Sequence, residues 1–204
     1  MARQYGTTLR NDLLQQYEDT IGTSPKVQIR TGSQPATPAT SASGTLLVEL
    51  TNATSNWRNA ASGGASTMAG SFTGTVVADG TAGHYRVLDS GGTTCHEQGG
   101  ITRAFPLTTA TSSTAAGSNV LTFASTTGVS DGMSVTVTGV PTGTTVASHT
   151  STTVNLSAAA TATISIGTTV YFGDTSGDLL LLNTALTTGQ TLTLSLWDRT
   201  APGA

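Results

Sequence analysis

Thr45-Leu46-Leu47-Val48-Glu49-Leu50, the stretch from Ser71 to Ala78, and His84-Tyr85-Arg86-Val87-Leu88 decide the fold, because each is rich in apolar and β-branched residues and bounded by Gly, Asp or Asn. Short runs of this kind between turn-forming residues read as strands. Asp79-Gly80 and Asp89-Ser90-Gly91-Gly92 suit tight reversals, since glycine accepts positive φ at no steric cost. The short spacing therefore predicts antiparallel sheets.

Working outward from this block, a further strand is expected around Glu97 to Arg103, and the Thr/Ala/Ser stretch from Thr108 to Ser118 marks a change of register. Residues 107–168 read as a separate small β-module: Asn119-Val120-Leu121-Thr122-Phe123, Met133-Ser134-Val135-Thr136-Val137, Thr144-Thr145-Val146-Ala147 and Thr153-Val154-Asn155-Leu156 are short strands punctuated by Gly and Pro. A unit of that size stands near the lower limit of independent stability, so support from its host or a symmetry mate is expected. The chain then resumes with Thr169-Val170-Tyr171-Phe172, Leu179-Leu180-Leu181-Leu182 and the alternating run from Thr191 to Trp197.

Upstream, Leu9, Leu13, Tyr17 and Ile21 recur every fourth position, which predicts an amphipathic helix over 8–21 with Thr7 or Thr8 as N-cap and Gly22 as its stop. That helix packs on its own domain or docks on a neighbouring subunit. Lys26 to Arg30 reads as a strand, and Pro35 and Pro38 lie in a loop without periodicity. The expected fold is mainly β: a sandwich-like or barrel-like antiparallel core from residues 1–106 plus 169–204, one N-terminal amphipathic helix, and the module inserted at 107–168. On this reading, joining Phe105 to Thr169 through a short linker leaves a foldable protein.

Charged residues make up only 9% of the chain, against roughly 25% in an average soluble domain, and 36% of residues are apolar. A net charge of -3 with that apolar content predicts a folded chain with a neutral, hydroxyl-rich surface. The 8 Lys+Arg and 11 Asp+Glu form no basic cluster, which argues against nucleic acid or an anionic membrane as partner. The N-terminus lacks the apolar stretch of a secretory signal, no apolar run approaches a membrane span, and Cys95, the single cysteine, cannot form an internal disulfide. Synthesis in a cytoplasm is the expectation.

His84, Cys95, His96 and Glu97 are the one cluster whose side chains could hold zinc or form a Cys/His nucleophile pair. Adjacent strand residues point to opposite faces, which works against Cys95 and His96 gripping one ion. Structural roles are expected instead, with Cys95 a small apolar filler and the histidines hydrogen-bonded or at an interface. Asp174-Thr175-Ser176-Gly177-Asp178 offers oxygen ligands for calcium but is too sparse in carboxylates, so a turn is expected. Trp57 and Trp197 read either as exposed aromatics that stack on sugar rings or as core and interface residues. There is no nucleophile elbow, phosphate loop or metalloprotease helix, so no catalytic residue, cofactor or metal is assigned and no enzyme is expected.

Ala2-Arg3-Gln4-Tyr5-Gly6-Thr7 with its helix, Trp57 with Ala60-Ala61-Ser62-Gly63-Gly64, Gly80-Thr81-Ala82-Gly83-His84-Tyr85-Arg86, Gly92-Thr93-Thr94-Cys95-His96-Glu97-Gln98-Gly99, and the ending from Gly177-Asp178-Leu179 through Gly189-Gln190-Thr191-Leu192-Thr193 resemble a family of small tailed-bacteriophage structural proteins. The resemblance implies a non-enzymatic accessory virion protein, of the head decoration or neck and collar type. Its partners would be capsid, neck or tail subunits, and a homo-oligomer is expected. A particle assembled in a cytoplasm and later exposed also reconciles the missing signal with the Thr/Gly-rich, Lys-poor composition. The middle block departs from that family. Gly128-Val129-Ser130-Asp131-Gly132-Met133, Val140-Pro141-Thr142-Gly143-Thr144-Thr145-Val146 and Thr153-Val154-Asn155-Leu156-Ser157-Ala158-Ala159-Ala160-Thr161 resemble a module of phage and bacterial surface proteins. The alternative function is accordingly a glycan-binding adhesin module.

Overall fold

A computed structural model describes residues 4–54, 56–109, 112–195 and 197–201. Met1, Ala2 and Arg3 of the N-terminal motif, Ala110 and Thr111 in the stretch from Thr108 to Ser118, and Leu196 in the final alternating run lie outside the described residues. The chain is mainly β, with antiparallel sheets and one N-terminal helix. In order come α1 (Thr7–Ile21), β1 (Lys26–Thr31), β2 (Leu46–Asn52), β3 (Ala65–Ser66), β4 (Phe72–Thr75), β5 (Gly80–Leu88), β6 (Cys95–Thr108), β7 (Val120–Thr122), β8 (Val135–Thr136), β9 (Val146–His149), β10 (Thr153–Leu156), β11 (Thr169–Gly173), β12 (Leu179–Leu181), β13 (Ala185–Leu186), β14 (Thr191–Leu194) and β15 (Arg199–Thr200). They form two compact units: Met1–Gly100 with Ala185–Ala204, and Ile101–Thr184.

In the first unit the sheet runs β14-β4-β2-β1-β5-β6, with β13 beside the start of β5 and a small β15-β3 pair apart from it. Val27 pairs with Leu50 on one side and Val87 on the other, so the alternating residues Val27, Ile29, Val48, Leu50, Tyr85 and Val87 share the inner face. The β1/β2 register skips Leu47, and this bulge lets Leu47 be buried as well as Val48. The β1/β5 register skips Gly83, where a Cβ would fall 2.3 Å from the Gly32 carbonyl oxygen, so only glycine fits that bulge.

Helix α1 ends at Gly22, whose φ of 85° permits its N–H to reach the Glu18 carbonyl at 2.8 Å. Its N-cap is Gly6 rather than Thr7 or Thr8, without a side-chain cap. The expected Leu9/Leu13 stripe is also corrected: Leu9 and Leu13 are 48% and 43% exposed, whereas Leu14 and Ile21 are buried. A strict four-residue repeat drifts by about 40° per step around a 3.6-residue helix, so Leu9 and Ile21 cannot share a face. Polar bonds fix the rotation instead. Asn11 Oδ1 accepts the Gly64 N–H at 2.8 Å and Glu18 Oε1 accepts the Ser66 hydroxyl at 2.8 Å.

The loop containing Pro35 and Pro38 is a strap over the outer face of the sheet, held by side chains of the strands beneath. Arg86 donates to the Pro38 and Thr40 carbonyls at 2.7 and 3.0 Å, Arg30 to those of Ser43 and Gly44 at 2.9 and 3.1 Å, and Gln98 to that of Pro35. Covered on both faces, β5 is buried without interruption from His84 to Leu88.

The second unit has its own core. Sheet β7-β10-β9 and the ladder of β6 residues 104–108 with β11 and then β8 contribute Leu121, Val154, Leu156, Val135, Val170 and Phe172, and Phe172 contacts Phe105 and Phe123 with ring centroids at 5.9 and 5.6 Å. β12 pairs parallel with Ile101, Thr102 and Arg103 of β6. This unit is therefore wider than the 107–168 expected from sequence. Phe105, Val170 and Phe172, placed by pattern in the host core, fill this core instead.

Two deletions separate the boundaries. Joining Phe105 to Thr169 strips the partners from three buried residues, each contributing about 1.5–3 kcal/mol, and is expected to give an aggregating protein without a cooperative melt. Gly100 pairs with His84 and Ala185 with Thr81, three residues apart on β5 and so roughly 10 Å along the strand. Replacing residues 101–184 by a short Gly/Ser linker is expected to leave a soluble protein with a single cooperative transition by calorimetry.

Candidate functional site

The most concentrated chemistry lies on the inner face of the first unit, around Glu97 on β6. Glu97 Oε2 accepts the Tyr17 hydroxyl from α1, and Oε1 accepts the Tyr85 hydroxyl from β5 at 2.6 Å and an Arg199 N–H from β15. Trp57 and Trp197 complete the surround. Ring contacts run from Tyr17 to Trp57 (6.0 Å), Trp57 to Phe72 (6.0 Å), Phe72 to Trp197 (6.4 Å) and Trp197 to Tyr85 (5.2 Å). The Arg199 guanidinium lies over Tyr17 and Trp197, at 5.5 and 5.1 Å from their centroids.

A second cation, Arg58, is buried and continues the network. Arg58 donates to the Ser66 hydroxyl and carbonyl at 3.0 and 2.6 Å and to the Trp197 carbonyl at 2.9 Å, pairs with Glu18 at 3.6 Å, and stands 5.2 Å from the Trp57 ring. Charged groups removed from water must be paired or fully bonded, and here both arginines have a carboxylate and aromatic faces. Burial, reinforced by the Glu97 charge, raises the phenol pKa of Tyr17 and Tyr85 above the ordinary value near 10. Both Glu97 oxygens are taken up by donors of its own chain. The network fastens the helix and the C-terminal segment to the sheet.

The sequence cluster His84, Cys95, His96 and Glu97 is divided by the pleat. His84 lies on the outer face, fully buried, donating from Nδ1 to the Gly32 carbonyl at 3.0 Å, with Nε2 unpartnered. Desolvation, with Arg30 and Arg86 adding to it against the Gly32 bond, depresses its pKa, so the imidazole is neutral. Glu97 is on the inner face, and half-buried Cys95 directs Sγ to the Glu97 carbonyl at 3.1 Å. Among the described residues no three His, Cys, Asp or Glu side chains come together to hold a metal ion.

Trp57 and Trp197 were expected either as exposed sugar-stacking residues or as core; both are buried, so neither presents a ring to a ligand. Asp174 Oδ1 accepts the Ser176 N–H at 2.8 Å and the Thr102 hydroxyl donates to the Asp174 carbonyl at 2.6 Å, which makes the Asp174–Asp178 segment a bonded turn. The Ser176 bonds hold the Asp174 carboxyl below its usual range. No described helix is long and apolar enough to cross a membrane. Sequence reasoning missed the Glu97 lock, because its partners stand 80 and 102 residues away and only the Tyr85 bond, 12 residues away, lies in one hairpin.

Glu97→Gln keeps the shape but leaves Arg199 without its counter-charge. It is expected to lower unfolding free energy by about 2–3 kcal/mol in urea titration, and Tyr17→Phe by about 1 kcal/mol. The pH profile follows from the shifts. A phenol whose pKa is raised on folding stabilises fully below its unfolded value, so stability should decline as pH rises above about 10, less steeply in Tyr17→Phe. A histidine with a depressed pKa acts in the opposite sense, so stability should also decline as pH falls below about 6.5, ahead of the carboxylates. Thermal melts across pH 4–11 check both limbs.

Comparison with family models, with curated proteins and with solved structures finds no match to this chain.

Proposed function

We propose that this protein is a non-enzymatic accessory component of a tailed-phage virion, a head decoration or neck and collar protein located in the particle. It stabilises the particle through contacts with capsid, neck or tail subunits and with further copies of itself. One observation carries the reading. Apart from residues 177–184, the segments that resemble the phage structural family fall in the first unit, and the block that departs from it falls in the second.

The surface chemistry supports a role in contacts. Between Ile101 and Thr184 the only charged residues are Arg103, Asp131, Asp174 and Asp178. Such a surface loses little by desolvation when covered, since the cost of burying charge is largely absent. On α1 the rotation set by Asn11 and Glu18 leaves Leu9 and Leu13 outward, one helical turn apart. An apolar pair presented by a helix whose inner face is already bonded suits docking on a neighbouring subunit. A virion lattice repeats each modest contact by symmetry.

Mass spectrometry of purified particles is expected to find the chain in stoichiometric amount, with hundreds of copies for a capsid lattice and about a dozen for a neck ring. Absence or trace amounts would remove the proposal. A Leu9→Glu, Leu13→Glu double variant is expected to melt within about 0.5 kcal/mol of wild type, as exposed sites do, yet fail to enter particles.

A further inference from the structure

A cavity of about 590 Å³ lies on the outer face of the first unit, between the strap at residues 38–42 and the turn that joins β5 to β6. Arg30 and Arg86 both line it, and among the described residues no carboxylate does. That is unusual in a chain with a net charge of -3 and only 8 Lys+Arg. The nearby acids are engaged elsewhere: Glu49 with Lys26 at 3.1 Å and Gln28 at 3.0 Å, and Asp89 with the Thr93 N–H at 2.9 Å in its own turn.

Arg86 is 4% exposed and its hydrogen-bond partners are the neutral carbonyls of Pro38 and Thr40, with Nε unpartnered. Arg30 likewise donates to the Ser43 and Gly44 carbonyls and the Gln28 amide oxygen. Desolvation, and then the neighbouring Arg86 charge, lowers the Arg30 pKa. Two guanidiniums thus share a partly dry site without a counter-ion among the described residues, although buried charges are ordinarily paired. Each retains N–H donors beyond those used on the strap, because a guanidinium carries five.

We propose that this cavity binds a carboxylated sugar, a uronate or sialate unit of an acidic polysaccharide, with its carboxylate toward Arg30 and Arg86. Guanidinium is the side chain best matched to a carboxylate, donating a fork of parallel N–H bonds to its two oxygens. The volume exceeds the need of a bare inorganic anion, and Thr40, Ser41, Thr93 and Thr94 supply hydroxyls and backbone groups around the rim. Those groups suit a polyhydroxylated ring. Leu88 and Ala42 add apolar surface against which the ring's C–H face can rest. The site is independent of the buried tryptophans and of the virion role.

The test is titration of the full chain with glucuronate, glucose and inorganic phosphate, followed by NMR or calorimetry. Glucuronate is expected to bind with a dissociation constant on the order of 1 mM, glucose at least tenfold more weakly, and phosphate without saturation in the same range. Arg30→Gln should lose at least tenfold in glucuronate affinity with its thermal transition retained, and Thr93→Ala, on the exposed rim, a smaller part. If Arg30→Gln does not fold, Arg30→Lys, which keeps the charge and loses the fork, replaces it and should still weaken binding. Equal binding of glucose, equal binding of phosphate, or unchanged affinity in these variants would each overturn the assignment, as would no glucuronate binding at all.

Discussion

A single carboxylate, that of Glu97, joins three parts of the first unit that the chain delivers far apart. Tyr17 comes from the helix, Tyr85 from the central strand β5, and Arg199 from β15 near the C-terminus. Because the group is mostly withdrawn from water, its charge has to be answered by donors held in place. That requirement fixes the helix against the sheet and draws the C-terminal segment over the aromatic run from Tyr17 to Tyr85. Arg58 and Glu18 repeat the device beside Trp57. A carboxylate with both oxygens engaged by its own fold acts here as a fastener.

The same logic governs the opposite face. The residues that alternate with the inner-facing set, namely Gln28, Arg30, His84, Arg86 and Gln98, are polar, and a sheet with polar residues outward would ordinarily face solvent. Here Arg30, His84, Arg86 and Gln98 instead bind carbonyls of the irregular segment from Gly32 to Gly44, which has no ladder of its own to satisfy them, while Gln28 bonds Glu49 and Arg30. The strap and the strands each supply what the other lacks. Among the described residues the two guanidiniums remain without a carboxylate partner, and both line the cavity beside the strap.

Much of the β architecture is legible in the sequence, since alternation and Gly/Asp turns locate the strands around Leu47, Tyr85, Val154, Phe172 and Leu192 within a few residues. The helix is legible too, but not its rotation. Leu9 and Leu13 look like the buried stripe only while Asn11 and Glu18 are taken for surface residues, and nothing local shows that Gly64 and Ser66 await them. The unit boundary fails for a similar reason: Phe105 and Phe172 belong to strands whose pattern is the same whichever core receives them. Trp57 and Trp197 are informative only once their neighbours are known.

Hydrogen exchange of the native protein and of Glu97→Gln, followed residue by residue, tests the fastening role most directly. If Glu97 is the common tie, amides of α1 and of Arg199–Thr200 lose protection together in the variant while those of β1 and β2 keep theirs, because sub-global opening follows the contacts that are lost. Unchanged protection in the helix, or a uniform loss that includes β1 and β2, would contradict it.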